Sequence, residues 1–198
     1  VHKEQGAIMG PSVLLKDPIQ AISFALGGLV GAFALLAGKP ADHGGLLHPV
    51  FAEVQWPFPL DEWGKGKAFR CDAEHCGAEV NLYLRAKIGF CNCTTGVSDD
   101  AELERLSDFH LAGKQVAALG DGRAIAVQWM KGRSRGYSIG GANPPGKSAL
   151  SVAFNDRCDA MVAMVVTDHA QPSVIEPAVI EFLNSKTVLH WAEVTLGL

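Results

Sequence analysis

The chain has 198 residues, 48% of them hydrophobic, and a formal net charge of −4. Its 17 Lys and Arg residues are spread along the length with no basic block that could follow a line of phosphates, so nucleic acid is excluded as an expected partner. A chain of this size can bury a substantial core, and one main domain is the expectation.

Residues 1–18 carry few periodic apolar positions and read as an N-terminal, cytoplasmic tail, within which Met9 is an alternative start. Residues 19–38 form an uncharged stretch flanked by Lys16, Asp17 and Lys39. As a helix it would rise about 30 Å, the thickness of the hydrocarbon layer, which predicts a single transmembrane or signal-anchor helix. Gly27 and Gly31 give it a Gly-x-x-x-Gly face on which a second helix could pack closely. The rival reading is a secretory signal peptide with Ala32-Phe33-Ala34 as its small-x-small cleavage site. Both readings export the remainder of the chain. The anchored one makes it a single-pass protein of a bacterial inner membrane, with its C-terminal part in the periplasm.

Residues 39–66 hold Pro40, Gly44, Gly45, Pro49, Pro57, Pro59, Gly64 and Gly66, too many breakers for one regular element. This is a tether. Its Leu46, Leu47, Phe51, Trp56, Phe58, Leu60 and Trp63 are unlike a solvated linker, and three supports suit them: the domain's own flank, the lipid headgroup layer or a partner protein.

Residues 67–198 form the exported domain, organised around its cysteines. Cys71 and Cys76 precede, and Cys91 and Cys93 follow, a run in which Val80, Leu82, Leu84, Ala86 and Ile88 alternate with Asn81, Tyr83, Arg85 and Lys87. That period predicts a long strand with one buried face and a cysteine pair at each end. Asp99 then caps a short helix ending near Asp108. Strands are expected over 115–119 and 124–130, with a turn at Lys131-Gly132-Arg133 and a return over 134–139. The run 140–146 is a loop, and 149–154 and 160–166 are strands joined by a tight connection. Residues 174–184 predict a helix with Pro177 in its first turn. Residues 187–196 suit a strand or a helix. The fold class expected is α+β, an antiparallel sheet with one or two helices packed on a face. This element order resembles the sheet-and-helix sandwiches of exported photosystem accessory subunits of the PsbP type. The resemblance rests on element order, with no shared motif, and implies nothing about function.

The cysteines admit three chemistries. In an oxidising compartment Cys71, Cys76, Cys91, Cys93 and Cys158 are disulfide candidates with at least one of the five left over: Cys71 with Cys76 closes a small loop, Cys91 or Cys93 can reach Cys158 in the strand turn, and a Cys91–Cys93 bond would be strained. Alternatively, Cys71, Cys76, Cys91 and Cys93 hold zinc or copper(I), with His75 as an extra ligand, although the spacing matches no familiar zinc ribbon. The third possibility is a redox pair in Cys91-Asn92-Cys93. Hydrolytic chemistry has little footing. Gly-x-Ser-x-Gly and His-Glu-x-x-His are absent, and the prolines before Gly146-Lys147-Ser148 remove the backbone donors a phosphate loop needs. His110, His169 and His190 are scattered singly. Arg70, Arg85, Lys87, Lys131, Arg133 and Arg135 are expected on the solvent face of strands, as edge protection or as a basic patch for an acidic partner or anionic lipid. The function expected is a non-catalytic accessory or assembly subunit of an integral membrane or envelope complex, with no cofactor. The alternative is a thiol- or metal-handling periplasmic protein.

Overall fold

The computed structural model describes residues 49–113, 115–140, 146–168 and 170–198. The expected tail, the apolar helix with Gly27 and Gly31, the first part of the tether, His169 and most of the 140–146 loop lie outside these. Among the described residues eight strands form one antiparallel sheet: β1 (Ala52–Val54), β2 (Lys67–Cys71), β3 (Val80–Lys87), β4 (Val116–Ala118), β5 (Arg123–Val127), β6 (Met130–Ile139), β7 (Ser148–Asp156) and β8 (Asp159–Thr167). Their order is β1-β2-β3-β8-β7-β6, and the long β6 pairs with β5 along its first half and with β4 along its last residues. The helices among the described residues are α1 (Ala73–Cys76), α2 (Asp100–Leu106), α3 (Phe109–Ala112), α4 (Pro172–Leu183) and α5 (Lys186–Leu196). The class is α+β, as the sequence suggests.

The sheet is covered on both faces, where the sequence suggests a single buried one. On one side Leu82, Leu84, Leu150, Val152, Phe154, Met161 and Val165 pack against Ile175, Val179 and Leu183 of α4 and Val188 and Ala192 of α5. On the other, Ala153, Ala160 and Val162 meet Leu103 and Leu106 of α2, while Ala149, Met164 and Tyr137 meet Leu111 of α3 and Trp56 of the tether. The central strands β7 and β8 are therefore buried continuously over 149–154 and 160–165, and such runs carry no alternation to reveal two faces. Each buried Leu or Met side chain contributes roughly 1.5–3 kcal/mol over its exposed state.

Several elements differ from the pattern-based expectation. The β5–β6 turn is at Gln128-Trp129, with Gln128 at φ 52°, and Lys131-Gly132-Arg133 lies inside β6. Gly132 is there for close packing, because a Cβ would strike the carbonyl oxygen of Ala153 and the backbone of Phe154. Helix α4 begins at Pro172, leaving Pro177 in its interior and Ile175 buried within it. Residues 186–196 are helical, with the Ser185 hydroxyl capping Val188 N–H. Among the described residues no helix is long and apolar enough to cross a membrane.

Candidate functional site

Strand β3 sets the positions of the chemistry-bearing side chains. Its first residue pairs with Cys71 and its last leads to Cys91, so the two cysteine groups stand at opposite ends of eight residues. At about 3.4 Å per residue that is roughly 25 Å, and Cys71, Cys76, Cys91 and Cys93 are not brought together as one set. Cys71 is bonded to Cys76, and Cys93 to Cys158 in the β7–β8 turn. Cys91 is free and buried. Its Sγ donates to the carbonyl of Arg157 at 3.1 Å, and its backbone N–H donates to the carbonyl of Cys158 at 3.1 Å. Burial, with Glu102 and Asp159 nearby, pushes the Cys91 thiol pKa up. His75 stands inside the first disulfide loop, where its Nδ1 and backbone N–H both face the carboxylate of Asp72, the N-cap of α1, at 2.7 and 3.0 Å. Among the described residues no group of three or more His, Cys, Asp or Glu side chains is arranged to hold a metal ion.

The second polar assembly lies on the face of β3 under the tether. Arg85 is 2% exposed. Its Nε donates to Asp108 Oδ2 at 2.6 Å, and its Nη1 donates to both oxygens of Asp61 at 2.8 and 2.9 Å. Lys87, also buried, reaches Asp108 Oδ1 at 2.9 Å, and His110 Nε2 stands 3.5 Å from Asp61. Aromatic rings roof this network: Trp56 lies against Arg85, and Trp63 has the Lys87 ammonium 4.8 Å from its ring centre. Burial works against the Asp61 charge, but Arg85 and the Trp63 N–H outweigh it and hold its pKa below the ordinary value. The tether from Trp56 to Gly66 is thus fastened to the domain's flank. Gly66 permits the approach, since a Cβ there would meet the Trp56 ring at 2.8 Å and the Arg85 Cβ at 2.9 Å.

The basic side chains expected in solvent are largely drawn into ion pairs. Arg70 pairs with Glu79 at 2.6 Å, Arg133 with Asp100, and Arg135 with Glu104 at 2.7 Å. The physical reason is the second helical layer: α2 brings Asp100 and Glu104 over the outer face of β6, a placement that strand alternation cannot announce. Behind β6, the buried Glu176 of α4 accepts from Ser134 Oγ at 2.5 Å and pairs with Arg123, bordering a cleft of about 160 Å³ that Arg135 and Gln171 also line. A more open, apolar groove lies where Lys67 of β2 faces Lys186, His190, Trp191 and Val194 of α5. Lys147 and Ser148 lead straight into β7, so no helix follows the glycine-rich loop.

No family model matches the chain, and no curated protein matches it. Among solved structures, the solution structure of cyanobacterial PsbP (CyanoP) from Synechocystis sp. PCC 6803 aligns with a TM-score of 0.39 and 12% identity, covering 68% of this chain and 77% of that one. Likeness at that level carries no argument about activity or partners.

Proposed function

We propose that the chain is a non-catalytic accessory or assembly subunit of a membrane or envelope complex, anchored by residues 19–38 and carrying its folded domain on the oxidising side. The observation that supports this most is the pair of disulfides, Cys71–Cys76 and Cys93–Cys158, in a domain preceded by twenty uncharged residues. The fastened tether adds to it. With Trp56 to Gly66 held on the domain by Asp61 and Arg85, this stretch is part of the fold and not a free linker. The buried ionic network is a structural device in this reading, since Arg85, Lys87 and Asp108 are out of contact with solvent and face one another.

The reading is tested by extracting native membranes in mild detergent and separating the extract by size. The chain is expected in a fraction well above its own mass, and a Gly27→Leu/Gly31→Leu variant is expected to shift to lower mass while its domain stays folded. A chain that runs alone in both forms contradicts the subunit assignment.

A further inference from the structure

We propose that Cys91, Cys93 and Cys158 form one exchangeable thiol–disulfide set, whose free thiol moves between a buried position and an exposed one. The bonded pair Cys93–Cys158 has a Cα separation of 4.2 Å. Cys91 also meets this turn, its backbone N–H donating to the Cys158 carbonyl and its Sγ to the carbonyl of the adjacent Arg157. One such main-chain hydrogen bond keeps the two Cα atoms within about 7 Å, the outer limit of what a disulfide spans. Cys158 is therefore joined to Cys93 and has Cys91 as a hydrogen-bonded neighbour.

The exchange balances without an outside oxidant. The Cys91 thiol gives up its proton and its thiolate attacks Cys158 Sγ. The Cys91–Cys158 bond forms as Cys93–Cys158 breaks, and Cys93 leaves as a thiolate that takes up a proton. No net oxidation occurs. What changes is where the thiol stands. Cys91 is 6% exposed, whereas Cys93 is exposed and lines a concave surface with Trp129, Lys131, Asn155 and Arg157. Trp129 is 55% exposed, so the surface offers a flat apolar ring and two cations beside the position where the thiol emerges. Glu102 on α2 and Asp159 on β8 act with burial to keep Cys91 protonated, and Arg105 on α2 opposes them, so exchange quickens as pH rises.

The test is to treat the folded, oxidised protein with N-ethylmaleimide near pH 8, quench in acid and locate the adduct by fragmentation of the peptide spanning 88–105. Exchange predicts one adduct, on Cys93, and none in the Cys91→Ser variant, which has no attacking thiol. One adduct on Cys91, or no adduct in the parent protein, overturns the proposal. As a second arm, Cys93→Ser is expected to carry a Cys91–Cys158 disulfide and to resist the reagent. Two alkylated cysteines in that variant, with its near-ultraviolet circular dichroism intact, would also overturn it. If that variant does not fold, the adduct position in the parent protein still decides.

Discussion

Arg85 Nε lies 2.6 Å from Asp108 Oδ2, with both side chains at 3% exposure or less. The pair joins the middle of β3 to the segment leading into α3, and through Asp61 it fastens the tether as well. A buried ion pair contributes little net stability over an apolar replacement, but removing one partner strands the other charge out of water. Asp108→Ala, which removes the carboxylate paired with both buried Arg85 and buried Lys87, is expected to destabilise the protein by about 3–5 kcal/mol, and Arg85→Ala by less, because Asp108 keeps Lys87. Urea unfolding followed by tryptophan fluorescence checks this, and Trp56 and Trp63, which roof the cluster, should report early loss of the tether.

The two disulfides differ in the length of chain they close. Cys71–Cys76 spans a sequence separation of 5, and Cys93–Cys158 one of 65. On the chain-entropy account the first contributes roughly 2 kcal/mol and the second roughly 4 kcal/mol. Cys71→Ala/Cys76→Ala should therefore lower the thermal midpoint less than Cys158→Ala, compared by calorimetry under oxidising conditions.

Gly132 sits opposite Phe154 where β6 pairs with β7. Its missing Cβ would meet backbone atoms of Ala153 and Phe154, which have no rotamer with which to retreat. Gly132→Ala is expected to cost at least about 1–3 kcal/mol, the range for overpacking, and to broaden near-ultraviolet circular dichroism. Gly89→Ala tests a different cost: nothing lies within 4 Å of its Cβ position, and φ +67° alone should penalise it.

Acid should weaken the domain through Asp100. The Gly122 N–H, 3.0 Å away, and the Arg133 and Arg135 guanidinium groups together outweigh burial and hold the Asp100 carboxyl below its ordinary pKa. A depressed folded pKa contributes stability that is present above the unfolded value, near 3.9, and is lost as pH falls through the folded one. Asp100→Asn should therefore lower stability at neutral pH and bring the two stability curves together below about pH 4. Parallel curves across that window would assign the carboxylate no such role.

How much of this was legible in the letters depends on the element. The alternation of Val80, Leu82 and Leu84 gave β3, and the acids after Asp99 gave α2, because each pattern needs only local spacing. The face opposite the alternating set was misleading: Arg85 and Lys87 look solvent-directed until Asp61 and Asp108, both more than twenty residues from Arg85, close over them, and Tyr83 until Trp56 and Phe58 do. Pro177 drew the expected start of α4 too far along, since a proline inside a helix imitates one in its first turn, while the true first turn has Pro172. The turn placed at Gly132 failed for a related reason. A glycine needed for contact with a neighbouring strand reads the same as one needed for a bend. The pairing of Cys93 with Cys158 required the β7–β8 turn to be brought beside the end of β3, which is a matter of sheet order.

The most direct test of the account is to fractionate cells and analyse the chain by intact mass after thiol alkylation, with and without prior reduction, along with metal analysis of the same sample. The account predicts a chain in the membrane fraction, resistant to carbonate extraction and free of bound metal, with four cysteines blocked until reduction and Cys91, Cys93 and Cys158 sharing one free thiol. A chain in the soluble fraction with all five thiols open, or one carrying stoichiometric zinc or copper, would contradict it.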